Sequence, residues 1–595
     1  MIMTVNDRIA ALRQAMAIAK LDAFIIPSGD PHQSEYVASH FKDREWISGF
    51  TGSAGTAVVF RDHAGMWTDS RYFLQAEAEF SDNEFILHRI TDRANPGMIE
   101  FICEKLPAGS VVGCNGNVFA LSEIKELKNK LSKNAISLVT DKDIISGLWK
   151  DRPSLPINKI FDHSEDYAGL SRSEKMDSIR SILKKIGAEQ YLIPALDCIA
   201  WLLNLRGNDI DYNPVFYSFG ILSENDFLLF IDKEKVSYDL KVDLDVSGVT
   251  IRNYREIYEY LSESGKTIFV DPSLCNFNLY RSISGKIIEG DDIVTREKTI
   301  KNPVEIENLK KAHVQDGISL VKFYMWLEKE LKTRKISEYE AAQKIAEFRA
   351  IHPEYKSESF GAIVGYKANG AIVHYSPSKD TSSEIENEGV LLIDSGGQYE
   401  NGTTDITRTT FFGDPPADIK RHYTAVLKGM LAVRNMVFPE GTNGYQIDVL
   451  ARQFLWAQGL NYYHGTGHGV GFYLNVHEGP QGITNFLAPR AKIPIKAGML
   501  NSNEPGYYRE GHYGIRIENL ILTVEAFETE HGKFLTNEDI TVFPFETKLI
   551  DIDMLTAKEI SLINDYHKKV FNCLSDLLNE EENSWLKKKC AKISQ

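Results

Sequence analysis

Two stretches of this chain share one plan, and that plan constrains the fold more than any single residue does. Residues 16–55 contain MAIAKLDAFIIPSGD and then REWISGFTGSAG, while residues 182–209 read ILKKIGAEQYLIPALDCIAWLLNLRGND. In each, a helix-like stretch leads into a short apolar run ending in Ile-Pro. An apolar segment carrying a tryptophan follows (Trp46, Trp201). Two copies, about 170 residues apart, are too few for a solenoid and predict duplicated α/β domains. Between them, Lys150-Asp-Arg-Pro-Ser-Leu-Pro156 has linker composition, because its two prolines resist both helix and central strand. The first domain is therefore expected over 1–150 and the second over 151–302.

With 595 residues the chain has room for more than these two domains. From Pro303 to Leu331 the residues favour one long helix. Ser337-x-x-Glu340 predicts a capping box opening another, with Ala341, Ala342, Ile345 and Phe348 on its apolar face. Further helices are expected over 418–438, capped by Asp418, and over 442–458, ended by Gly459. Strand-like runs lie at 390–394, 406–412 and 515–522. This mixture predicts an α+β third domain over 303–535 and a C-terminal extension over 536–595, whose last forty residues, opening with a capping box at Thr556-x-x-Glu559, read as a helical tail.

Composition narrows the function class. The chain is 43% hydrophobic and 25% charged, as globular proteins are, and a net charge of −16 argues against a nucleic-acid partner, which would need a basic stripe. The six cysteines are scattered and form no CxxC, which argues against a disulfide framework or a thiolate zinc site. Ile9, Leu12 and Met16 recur at helical spacing among charged residues, so the N-terminal stretch reads as an amphipathic helix and not a signal peptide. No apolar run approaches the roughly 20 residues that span a bilayer. A cytoplasmic protein without a membrane partner is expected.

The third domain carries the chemistry. Asp394 ends an aliphatic strand, SGGQYENGTT supplies turn residues, and Asp405 opens the next strand, so a hairpin would set two carboxylates side by side. Glu504 precedes a proline that biases it toward extended backbone. Glu518 lies in Gly-Ile-Arg-Ile-Glu-Asn, where a period of two puts Arg516 and Glu518 on one face. The bland alternatives are turn-capping aspartates and an Arg516–Glu518 surface pair on an edge strand. Between the acid pairs sits His464-Gly-Thr-Gly-His468-Gly. Its glycines disfavour the helix that a zincin motif requires, and they would allow something bound to approach the backbone closely. His374 and His477 add two more imidazoles to the region.

Four carboxylates and one imidazole in one site would hold about −4, which is untenable unless cations neutralise it. Two divalent metals match that charge. Oxygen-dominated ligation with one imidazole favours Mn²⁺, with Zn²⁺ or Co²⁺ as alternatives. Such a pair activates a water and clamps an oxyanion, so metal-assisted hydrolysis is the reaction class.

The ordered set Asp394, Asp405, His468, Glu504 and Glu518, spaced 11, 63, 36 and 14 residues apart, resembles the dinuclear site of the pita-bread metallopeptidases. Within that superfamily the chain is similar to the Xaa-Pro aminopeptidase (aminopeptidase P) family in its long three-domain form. WTDSRYF (67–73), WKDRP (149–153), IAWLLNLRG (199–207) and the C-terminal extension carry that likeness. The resemblance implies two related N-terminal α/β domains before a pita-bread catalytic domain, a curved antiparallel sheet flanked by helices. It implies that Asp405 and Glu518 bridge two metals, that Asp394 completes one, and that His468 with Glu504 completes the other. It makes Glu504 the candidate general base on the metal-bound water. His374, His464 and His477 become substrate-positioning or oxyanion-stabilising groups, and Arg516 an arginine held near the metals. It further implies peptide substrates with proline second, and a homodimer. The rival readings are a prolidase-like dipeptidase, a methionyl aminopeptidase, metal-free creatinase-like chemistry, and a binding protein that reuses the fold.

Overall fold

The predicted duplication is visible as two six-stranded sheets with one connectivity. The computed structural model describes residues 3–90 and 97–594, which fall into two units, Met1–His163 with Leu170–Val294 and Ser164–Gly169 with Thr295–Gln595. In the first unit one sheet runs Phe85–Arg89, Ala64–Thr68, Thr56–Phe60, Ala23–Pro27, Val111–Cys114, Ser137–Val139. The other runs Val249–Arg252, Phe227–Ile231, Ser218–Ser223, Gln190–Ile193, Ile268–Val270, Ile287–Glu289. Strand directions correspond pair by pair: Thr56–Phe60 and Ser218–Ser223 are antiparallel to both of their neighbours, and the three other steps in each sheet are parallel. Strands such as Phe227–Ile231 are buried along their whole length, as sheets covered on both faces require. The helix Val5–Ile18 buries Ile9, Leu12 and Met16, the stripe its spacing predicts.

In the second unit Asn302 caps the long helix Pro303–Glu330, accepting from Val304 N and Glu305 N while Glu305 returns a bond to Asn302 N. Proline at the first helical position costs nothing, since its missing N–H would have no partner there. Ser337 accepts from Glu340 N and opens Glu338–Arg349, and Asn443 caps Gly444–Trp456. The expected cap at Asp418 is corrected: Ala417–Arg434 starts after Pro416, and Asp418 sits inside the first turn, where its charge still faces the positive helix end.

All strand pairs that frame the site are antiparallel. A three-stranded sheet places Gly389–Ser395 between Ile363–Tyr366 and Ile406–Phe412. A six-stranded sheet runs Val437–Pro439, Gly532–Asp539, Asn519–Thr529, Leu500–Asn503, Gly467–Gly469, Glu478–Ile483. The single strand expected over 515–522 is two: Tyr513–Arg516 pairs with Gly506–Arg509, and Asn519–Thr529 joins the large sheet. The chain leaves one ladder for the other at Ile517-Glu518, where Glu518 N donates to Thr407 O at 3.1 Å. Thr556 caps Ala557–Leu574, whose buried face joins the core shared by the long helix and Phe543 and Phe545. All six cysteines are free, and no helix of the described residues is long and apolar enough to cross a membrane.

Candidate metal centre

Strand register brings the first two acids together. Asp394 lies opposite Thr407 across the Gly389–Ser395/Ile406–Phe412 ladder, and Asp405 immediately precedes the second strand. Glu504 follows Leu500–Asn503, its N–H held by Thr466 O at 2.8 Å and its Oε1 accepting from Ser502 Oγ at 3.0 Å. Glu518 sits in the break between two strands, where Thr407 Oγ1 donates to its Oε2 at 2.8 Å. His468 is the middle residue of Gly467–Gly469. Its flanking glycines meet a demand of the sheet itself, which the sequence reading assigns to something bound. A Cβ on Gly467 would lie 2.0 Å from Ser502 O, and one on Gly469 2.2 Å from Glu478 O.

His468 Nδ1 lies 2.9 Å from the carbonyl of Gly469, which can only accept, so the proton is on Nδ1. Its Nε2 lone pair then faces carboxylate oxygens of Asp405 at 3.6 Å and Glu504 at 3.4 Å. Ligand atoms of Asp405, His468 and Glu518 lie within 4.8 Å of one another. Asp394 Oδ1, Asp405 Oδ1 and Glu518 Oε1 are buried without a hydrogen-bond donor. Burial, reinforced by Asp394 and Glu504, pushes Asp405 well above the usual carboxylate range; burial, with Asp405 and Asp394, does the same to Glu518. Burial lifts Glu504 to about 7, against the pull of Arg516. Orphaned carboxylate oxygens and an imidazole nitrogen drawn toward one point are a cation's donor set. Four acids and one histidine fit two divalent ions.

Arg516 and Glu518 are 2% and 1% exposed, which excludes a surface pair. Arg516 instead gives Nε and Nη2 to Asp394 Oδ2, Nε to Thr407 Oγ1, Nη1 to Tyr508 OH and Nη2 to Val373 O. Val373 precedes His374, so that histidine's turn lies beside Arg516. Tyr508 was not legible as a site residue, although the two-residue period places Glu504, Gly506 and Tyr508 on one face. Its hydroxyl lies 2.9 Å from His464 Nε2, and His464 Nδ1 lies 2.8 Å from Gly465 O. The carbonyl fixes the proton on Nδ1, so Tyr508 donates to His464 while accepting from Arg516; burial keeps the phenol protonated by raising it to about 12. The His477 ring meets that of His468 edge-on, with centroids 4.3 Å apart.

Buried ionic groups hold the segments on which these histidines sit. Arg452, paired with Asp448, donates to the carbonyls of Tyr462 and His464, and Asp448 accepts from Thr466 Oγ1 at 2.6 Å. Glu478, next to His477, takes Lys298 Nζ at 2.5 Å and Lys301 Nζ at 2.6 Å. In the first unit Arg71 forms a two-pronged pair with Asp69, at 2.8 and 2.7 Å.

The profile of metallopeptidase family M24 matches residues 307–525 and that of the M24 C-terminal region 533–593; creatinase/prolidase N-terminal domain profiles match 8–146 and 151–305. The chain belongs to metallopeptidase family M24, with two creatinase-type domains ahead of a pita-bread domain. It is 39% identical to a probable Xaa-Pro aminopeptidase P of Paracoccidioides lutzii, over 99% of each chain. It is 37% identical to aminopeptidase P1 of Arabidopsis thaliana, again over 99% of each. The solved structure of an X-prolyl aminopeptidase from Caenorhabditis elegans, described as a cytosolic enzyme with a di-nuclear active site, superposes with a TM-score of 0.95 at 32% identity over 100% of both chains.

Proposed function

We propose that this chain is a metallo-aminopeptidase that removes the N-terminal residue from peptides with proline in second position. The observation that carries the reading is the convergence of Asp394, Asp405, His468, Glu504 and Glu518, with three orphaned carboxylate oxygens, in a chain similar to Xaa-Pro aminopeptidases over its full length. Asp394, Asp405, His468, Glu504 and Glu518 would together hold two divalent ions. Bound there, the two ions supply Lewis acidity for water and for the attacked carbonyl. Mn²⁺ suits this oxygen-rich donor set best.

An Xaa-Pro bond is a tertiary amide without an N–H, and its nitrogen leaves as a secondary amine that needs a proton. Glu504 takes the proton of the attacking water and returns it to that nitrogen. Burial lifts its carboxyl to about 7, and Glu504 is one of three acids here, with Asp405 and Glu518, whose proton affinity the surroundings raise. His477 and His374 hydrogen-bond the oxyanion or the substrate backbone. His464, with both ring nitrogens engaged, acts by orienting Tyr508, and Arg516 holds Asp394. A cytoplasmic setting is supported by the free cysteines and by the cytosolic C. elegans relative, and a homodimer is proposed from the family resemblance alone.

The test is turnover of Arg-Pro-Pro, Gly-Pro and Met-Ala after chelator stripping and reloading with Mn²⁺, Zn²⁺ or Co²⁺. Cleavage of the tripeptide supports the reading; cleavage of Gly-Pro alone would make the chain a dipeptidase.

A further inference from the structure

A second buried carboxylate, Glu338, organises the segment that carries His374. Glu338 is the first residue of Glu338–Arg349 and is 0% exposed. Its Oε1 accepts from Tyr366 N at 2.7 Å and Asn369 Nδ2 at 3.1 Å. Its Oε2 accepts from Tyr375 OH at 2.8 Å, Ser383 N at 2.7 Å and Asn369 Nδ2 at 3.0 Å. The Glu338 N–H donates to Ser383 O at 3.0 Å, so one residue closes both ends of segment 366–383 and grips its middle twice. These donors are all neutral. A buried carboxylate held without a cation needs several charge-assisted bonds, and the N-terminus of its own helix adds a favourable dipole.

The grip reaches the site by a short path. Tyr375 N donates to Ile372 O at 3.0 Å, which makes a turn with Val373 and His374 at its centre, and the Tyr375 hydroxyl on Glu338 fixes one arm of it. On the other side Val373 O receives Arg516, which in turn holds Asp394. Residues 367–371 lie flat against Tyr513–Arg516: a Cβ on Gly514 would fall 1.7 Å from Gly370 O. The turn is thus pinned between Glu338 and the Arg516 strand, with little room for His374 to move as a body.

We propose that Glu338 is a positioning residue for Xaa-Pro hydrolysis, acting through Tyr375 and Asn369 to present His374 to the substrate. The proposal rests on His374 contacting substrate, as put forward above. The experiment is a double-mutant cycle of Glu338→Gln and His374→Ala, measuring kcat and KM on Arg-Pro-Pro, bound metal per chain, and amide hydrogen exchange over 366–383. Glu338→Gln is expected to lower kcat/KM by on the order of 10-fold to 100-fold, the range that misplacing a reacting group produces. Exchange over 366–383 should rise with the metal content unchanged, and no further loss should appear in the His374→Ala background. Losses that multiply would overturn the proposal, because they would give Glu338 a stabilising role independent of His374. If His374→Ala alone is fully active, it is the assignment of His374 that fails. Should Glu338→Gln not fold, Tyr375→Phe takes its place in the cycle, removing only the bond nearest His374; additivity there overturns the proposal equally.

Discussion

Arg516 and Asp394 meet through a single oxygen. Nε at 3.1 Å and Nη2 at 2.7 Å both donate to Oδ2, while Oδ1 stays buried without a donor. The guanidinium thereby removes one lone-pair set from competition and leaves the other oxygen free to ligate. It is also the cationic group among four acids whose mutual repulsion would otherwise have to be met by metal alone.

The first prediction is that Arg516→Lys retains the charge and loses the function. An ammonium cannot make the forked contact and also reach Thr407 and Tyr508. Metal affinity is expected to fall by about 10–100-fold, as for other groups that orient a ligand, with kcat/KM following. Competition with a calibrated chelator measures the first and Arg-Pro-Pro turnover the second. Wild-type affinity in the variant would remove Arg516 from the orienting role.

A second prediction concerns pH before metal is bound. Glu504 is lifted from 4.5 to about 7, and Asp405 and Glu518 are also raised. The folded apo chain then keeps protons that the unfolded chain has released, so unfolding becomes easier as pH climbs from about 4.5 through about 7. Stripped protein should show a lower Tm at pH 8 than at pH 5 from this source. Saturating Mn²⁺ should remove most of the difference, and Glu504→Gln should flatten the apo profile. An apo Tm that rises across the window would contradict the assignment.

Much of this architecture was legible in the sequence because it is local or ordered along the chain. The repeat around Trp46 and Trp201 marked two sheets of one topology, and the five candidate ligand segments announced themselves by turn chemistry and by acids in apolar settings. What escaped depends on long-range contact. Nothing near Tyr508 says that its hydroxyl joins Arg516 to His464, and Glu338 reads as an ordinary first-turn acid until segment 366–383 folds back on it. The glycines beside His468 were legible as a demand for space, but the occupant is the neighbouring strand backbone at Ser502 and Glu478. The break at Ile517-Glu518 was hidden because both flanking runs have strand periodicity.

Tyr508→Phe is the third prediction. The change deletes one oxygen, which bridges Arg516 Nη1 at 2.6 Å and His464 Nε2 at 2.9 Å. Both partners are buried or half-buried, and the loss of one bridging hydroxyl at such a site costs on the order of 1–3 kcal/mol. That corresponds to roughly a 5-fold to 150-fold fall in the folding equilibrium constant at 1.4 kcal/mol per decade, read by urea unfolding of the metal-loaded protein, and kcat/KM should fall as well. Two metals per chain should remain, because Tyr508 touches no ligand oxygen among the contacts described. Loss of metal in this variant would make Tyr508 part of the cation site itself.

The fourth prediction concerns Glu478 and the two lysines that meet it. Two ammonium groups converge on one carboxylate, and Lys298, Lys301 and Glu478 each have side chains 1% exposed. Removing the carboxylate takes the ion-pair partner from Lys301 and one partner from Lys298, whereas removing Lys301 leaves the Lys298–Glu478 bond in place. Breaking a buried pair from one side costs about 3–5 kcal/mol, so Glu478→Gln should fall in or above that range. Lys301→Met keeps the Lys298–Glu478 bond and fills the stem volume with apolar atoms, so it should cost much less. Urea unfolding of the metal-loaded proteins orders the two. His477 is the next residue, so Glu478→Gln should also lower kcat at temperatures where the variant is fully folded, while Lys301→Met should not. Equal destabilisation by both changes would mean that the second lysine, and not the carboxylate, holds this corner of the site.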